Sequence, residues 1–128
     1  MGIWHGRSGR TKTGSRLKKF RSKRKHQMGR VPTQTLMGEQ KIKTLDSKGK
    51  SVNKTPVITA KYVNVTDLKK NTTVRAEIQD VQENKASMDY QRRKVITRGT
   101  IIKTTAGVAK VTSRPGQDGV LNAILAEK

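Results

Sequence analysis

The sequence has no cysteine, which excludes both a disulfide framework and a thiolate metal site. It has no apolar run near the ~20 residues that a membrane-spanning helix needs. Asp and Glu are missing from the whole of its first thirty residues, so that segment has no counter-charge of its own. No apolar stretch of ~7–15 residues follows the N-terminal charges, and a secretory signal is therefore not expected. Gly6 stands where N-myristoylation requires Ser or Thr. A transit peptide shares the arginine-rich, acid-poor composition, but glycine and lysine here interrupt any amphipathic face.

The motifs of catalysis are missing as well. "GRTKTGS", from Gly9 to Ser15, has the glycine spacing of a phosphate-binding loop but carries Ser15 where that motif needs lysine. There is no G-x-G-x-x-G, no H-E-x-x-H and no calcium-binding loop. His5 and His26 are far apart and without nearby carboxylates, which suits contacts to RNA or solvent better than metal ligation. Asp80 could meet Glu83 or Asp89 by folding, yet these acids flank predicted turns and read as solvated groups balancing nearby lysines. The expectation is a protein that is not an enzyme, with no metal, no cofactor and no small-molecule substrate.

What the sequence does have is positive charge. Its 128 residues suit one domain with a tail, and the net charge is +20. Charge on that scale bears on partners rather than fold, the usual partners being nucleic acid or an anionic membrane. The charge is unevenly spread, at +11 for residues 1–30, +3 for 31–60 and +6 for 61–128. The composition changes near "MGRVPT", where Gly29 and Pro32 punctuate the chain. This gives a basic extension over 1–30 and a domain over 31–128.

Seven of the eleven residues from Arg16 to His26 are Lys or Arg, and like charges at i,i+4 spacing oppose a helix. Leu17, Phe20 and Met28 fall loosely on one helical face, but Arg24 breaks it. Gly2, Gly6, Gly9 and Gly14 favour an open, irregular backbone. The extension has no core of its own and cannot offset its ordering entropy, so by itself it is expected to be disordered.

From Val31 onward Val, Ile and Thr become dense in "TPVITAKYVNV", "TTVRAEI", "KVITRGTIIKTT", "GVAKVTS" and "GVLNAILA". Runs of five to eight such residues between Gly, Asn, Asp or Pro read as strands. In "TTVRAEI", Val74, Ala76 and Ile78 alternate with Arg75 and Glu77, the pattern of a half-buried strand. "TIIKTTAGVAKVTS" predicts a hairpin turning at Ala106–Gly107. "TSRPGQDGVLNAIL" predicts a second one, with Pro115, Gly116, Asp118 and Gly119 in its turn. A further hairpin is expected in "QKIKTLDSKGKSVNKTPVI", turning at "DSKGK". "VLNAIL" admits either a strand covered on both faces or short helical turns. The fold class is all-β: a small β-barrel or sandwich of short strands and hairpins with one modest core.

Nucleic-acid binding is the function this composition favours, because Lys and Arg supply the phosphate contacts that dominate affinity. In the extension the candidates are Arg7, Arg10, Lys12, Arg16, Lys18 and Lys19, followed by Arg21, Lys23, Arg24, Lys25 and Arg30. Trp4 and His5 are candidates for stacking on unpaired bases, a common mode of holding RNA. In the β region "QRRKVITRG" is expected to set Arg92, Arg93, Lys94 and Arg98 around a strand. The "SRPGQDG" loop is expected to be a defined turn presenting Arg114 to RNA, with Gln117 as a hydrogen-bonding partner. A DNA-packaging protein would share the charge, but such proteins are usually helical. An RNA-processing or translation factor that visits RNA transiently is the nearer alternative.

Two stretches carry a resemblance. "GIWHGRSGRTKTGSRLKKFRSKRKHQMGR" and "RRKVITRGTIIKTTAGVAKVTSRPGQDGVLNAIL" closely resemble the ribosomal protein S8e family, a small-subunit family of archaea and eukaryotes. The resemblance extends over nearly the whole chain, whose length is similar to the compact archaeal form. Ser15 stands where the family often has a second glycine, and "NKASMDY" is less proline-rich than the usual loop. The resemblance implies a β-barrel docked on small-subunit (16S) rRNA, with the extension threaded between RNA helices. It also implies a structural role in the cytoplasmic 30S subunit, beside neighbouring small-subunit proteins.

Overall fold

The computed structural model describes residues 3–46 and 53–126. The chain divides into two compact units, Met1–Pro32 and Thr33–Lys128. The first holds β1 (Ile3–Trp4), a single 3-10 turn (Lys25–Gln27) and β2 (Met28–Gly29). The second holds β3 (Leu36–Met37), β4 (Lys41–Ile42), β5 (Val57–Ala60), β6 (Tyr62–Asp67), β7 (Thr72–Glu83), α1 (Met88–Arg92), β8 (Ile101–Thr104), β9 (Gly107–Val111), α2 (Pro115–Asp118) and β10 (Asn122–Leu125). Among the described residues no helix is long and apolar enough to cross a membrane.

The second unit is built on a closed five-stranded barrel in the order β10-β6-β7-β8-β9. β6 and β7 form an antiparallel hairpin from Tyr62↔Glu77 to Asp67↔Thr72. Its turn is set by Asp67, whose Oδ1 accepts the Lys69 N–H at 2.9 Å, and by Asn71 at φ 50°, a conformation Asn tolerates. β7 is long enough to pair with β6 through its first half and with β8 through its second. Register shifts between Ile78 and Asp80 and between Val81 and Glu83 mark where it bends from one partner to the other. β8 and β9 form a hairpin, β9 pairs antiparallel with β10, and the parallel pair of β10 with β6 closes the ring. Closure removes the free strand edges that would otherwise pair with other chains.

The barrel interior is mainly aliphatic, with Val63, Val65, Ala76, Ile78, Val81, Ile102, Ala109, Val111 and Ala123 all buried, and the buried Thr104 of β8 donates its hydroxyl to the Gly107 carbonyl at 2.8 Å. Small and β-branched side chains fill so narrow a barrel, and alternation along each strand sends their neighbours outward. β5 forms a second, three-stranded sheet with β3 in parallel and β4 antiparallel, and its Val57 and Ala60 join the same core. Thr35, fully buried, is satisfied by donating to the Val57 carbonyl at 2.6 Å.

Several expectations need correction. Val74 is 56% exposed rather than inward-facing. "TPVITAKYVNV" is two strands belonging to different sheets, divided at Lys61. The β8–β9 hairpin turns at Thr105–Ala106, one residue earlier than expected, with Thr104 opposite Gly107. β9 and β10 do pair, but the segment between them holds the one-turn helix α2. Within "VLNAIL", "NAIL" is a strand, β10. The hairpin predicted over "QKIKTLDSKGKSVNKTPVI" has its arms in place, with β4 against β5 and Leu45 bridged to Lys54. Its tip, residues 47–52, lies outside the described residues.

Candidate nucleic-acid interface

The extension is hydrogen-bonded to itself, where an irregular backbone was expected. Its ends are clasped by β1 and β2, with Ile3 opposite Gly29 and Trp4 opposite Met28. Between them "GRTKTGSR" is a small hairpin: Arg10 bridges Arg16, and the Leu17 N–H donates to the Gly9 carbonyl at 2.9 Å. Thr11 organises the hairpin's tip. Its Oγ1 accepts the Ser15 N–H at 3.2 Å and lies 2.8 Å from Ser15 Oγ. Gly14, at φ 88°, supplies the left-handed position of the turn. The segment that failed as a phosphate-binding motif is thus a hydroxyl-stitched hairpin.

Two glycines give the clasp its geometry. A Cβ on Gly6 would run into the Trp4 indole, and one on Gly29 would run into the His5 imidazole. Trp4 also donates from Nε1 to the Arg7 carbonyl at 3.0 Å, and the Lys23 ammonium sits 5.2 Å from its ring centroid. Of the two residues expected to stack on bases, Trp4 is half-buried and held within the extension, and His5 is exposed with its ring beside Gly29.

No described residue of 3–32 is buried, so the extension has no core. Arg7, Arg10, Lys12, Arg16, Lys18, Lys19, Arg21, Lys23, Arg24, Lys25 and Arg30 are all exposed. Arg10 donates to the Gly14 carbonyl at 2.9 Å. A cleft of about 870 Å³ opens within the unit, walled by Trp4–Gly9, Leu17–Lys23 and His26–Met28. Its lining contains no carboxylate, because the chain has no acid before Glu39.

The barrel unit treats its cations differently. "QRRK" is not in a strand, a further correction: Arg92 ends α1, Arg93 caps it, and Lys94 follows at φ 52°. Ser87 starts that helix by accepting the Asp89 N–H at 3.3 Å. Arg93 pairs with Asp89 at 2.5 Å and donates to Gln34 Oε1 at 2.6 Å. Lys94 pairs with Asp80 at 2.6 Å. Asp80 and Glu83 lie in β7 rather than at turns. The hydrogen bond from Lys94, helped by the Val81 N–H, holds the Asp80 carboxyl below its ordinary pKa. Glu77 raises the pKa of Lys61 by hydrogen bond and charge, at 3.2 Å. Arg92 and Arg98 are exposed, and their guanidinium groups have no partner among the described residues.

The "SRPGQDG" loop has a fixed shape. The Arg114 N–H donates to Asp118 Oδ2 at 2.7 Å, and its carbonyl accepts from Gln117 and Asp118. Pro115 is buried at the first helical position, where its missing N–H costs nothing. Gly119 ends the turn at φ 76°, with Thr55 so close that a Cβ would collide with it. The Thr55 N–H also donates to the Gln117 carbonyl, at 3.3 Å. Arg114 and Gln117 are exposed on this frame.

Residues 4–126 match the family model described as ribosomal protein S8e. The chain belongs to the ribosomal protein S8e family. It is 48% identical over 121 residues to the small ribosomal subunit protein eS8 of Halobacterium salinarum, covering 94% of each chain. It is 41% identical over 125 residues to the protein of that name from Picrophilus torridus, covering 98% of this chain and 99% of the relative. With that of Methanosphaera stadtmanae the identity is 40% over 127 residues, covering 99% of this chain and all of the relative. The S8e match therefore takes in the basic clasp and the barrel alike. One residue of this S8e chain was placed in the sequence only on a loose helical face: Phe20, which lies in no helix and is 100% exposed between Lys19 and Arg21. An aromatic residue flanked by cations was the signal that could have found it.

Proposed function

We propose that this protein is a structural constituent of the small (30S) ribosomal subunit, binding 16S rRNA through its extension and through the basic loops of its barrel. The reading is supported by the names of its relatives, and one observation carries the RNA-binding part. Eleven cations stand exposed on a segment that holds no acid. Such a surface repels itself until phosphates neutralise it, and counterion release then favours the complex. Residues 1–30 would be the main rRNA-binding element and residues 31–128 a barrel adding Arg92, Arg98 and Arg114 from its loops. Arg93 and Lys94 would bind RNA only by exchanging Asp89 and Asp80 for phosphate. The partners would be 16S rRNA and neighbouring small-subunit proteins, the location the cytoplasmic ribosome, and no catalytic step is involved.

Sedimentation of tagged protein with small subunits through a high-salt wash tests this reading. A constituent stays with the particle in near one-to-one amount. Release into the supernatant would favour a transient translation or assembly factor.

A further inference from the structure

The clasp separates its aromatic residues into two kinds. Trp4 and His5 pack against Gly6 and Gly29, and Lys23 stands over the indole. Phe20 packs against nothing, being fully exposed on the wall of the cleft beside Lys18, Lys19 and Arg21. A phenyl ring left in water gives up the burial that makes such a residue favourable inside a protein. Its neighbours suit an anionic ligand, and no carboxylate in the cleft would repel one. The cleft volume, about 870 Å³, falls in the ~300–1,000 Å³ range of small-ligand sites. That space takes a nucleotide and not a double helix.

We propose that the cleft of the extension is a site for one unpaired nucleotide, with Phe20 as its base-stacking platform and Lys18, Lys19 and Arg21 holding the adjoining phosphates. This deepens the RNA-binding reading and rests on it. Stacking on Phe20 tolerates any base, because every base has a π-face. The clasp residues Trp4 and His5 act as the frame and touch no base.

The test uses the full chain and two probes, a single-stranded adenosine decamer carrying one 2-aminopurine and a ten-base-pair RNA duplex. Phe20→Ala should weaken decamer binding about 5- to 140-fold, the range for loss of one stacked base. The salt slope should stay unchanged, since no phosphate contact is lost. Phe20→Trp should restore affinity, and the quenching of 2-aminopurine fluorescence on binding should vanish in Phe20→Ala alone. Duplex affinity should not move. Unchanged decamer binding by Phe20→Ala, full rescue by Phe20→Leu, or an equal loss on the duplex would each overturn the proposal. Failure of the unmutated chain to bind either probe would instead overturn the RNA-binding reading beneath it.

Discussion

Asn84 shows how a single residue ties the irregular part of the chain to the barrel. It is buried just beyond β7, and its Nδ2 donates to the Val95 carbonyl at 2.8 Å. Its Oδ1 accepts the Ala86 N–H at 3.0 Å and the Thr97 hydroxyl at 3.2 Å. The amide thereby links the start of the loop carrying α1 to its end. Asn84→Ala would leave the carbonyl of the buried Val95 unpaired, whereas the amide of the exposed Ala86 can turn to water. One such buried group costs ~1–3 kcal/mol, and we expect a loss of about that size, measured by urea unfolding. A loss below that of an ordinary surface substitution would show that water replaces the amide. Nothing in "QENKAS" marks Asn84 as buried, because an Asn in such a setting is more often a solvated turn residue.

Among the elements, β7 is coupled to the turn that follows α1 by the ion pair of Asp80 with Lys94. Asp80 faces outward from β7, and the left-handed turn at Lys94 brings the ammonium to it. The folded pKa of Asp80 is depressed, so its contribution to stability is fully present above the unfolded value near 3.8. It is lost as pH falls through the lower, folded value. Both groups are exposed, and the effect is correspondingly small. Urea midpoints measured from pH 6 to pH 2 should fall at the acid end, and Asp80→Asn should lower the neutral plateau while flattening that fall. Parallel curves for the two proteins would remove Asp80 from the acid response. The sequence favoured a strand here because "KVIT" is β-branched. A capped helical turn took the preceding residues instead, and only Ile96 kept a single bridge, to Thr35.

At the scale of the whole molecule, charge and core are segregated. The first thirty residues carry more than half of the excess charge and none of those described is buried, whereas the second unit holds the core and all nine acids. If about half of the eleven extension cations meet phosphate, removing residues 1–30 should reduce the log–log salt slope of rRNA binding by roughly 4 to 5. The barrel fragment should retain weaker binding with some preference for its own RNA site, since a folded surface matches RNA shape. Titration of both proteins against small-subunit RNA and a scrambled RNA over a salt series measures both quantities. An unchanged slope would mean that the extension is not the phosphate-binding element.

The sequence by itself determined the fold class, the partition of charge and the nucleic-acid chemistry, because each follows from composition and short-range pattern. β-branched runs between turn residues specify short strands, and an acid-free basic segment admits polyanions as its counter-charge. Tertiary structure decided which strands share a sheet, since closing the ring through the parallel pair of β10 with β6 depends on contacts far apart in the chain. It also decided which cations stand free, by carrying Asp80 and Asp89 to Lys94 and Arg93 while leaving Arg92 and Arg98 without such partners. The same holds for the aromatics. Gly29 comes against the His5 ring because β1 meets β2, a pairing of residues far apart in the chain, while Phe20 stays fully exposed.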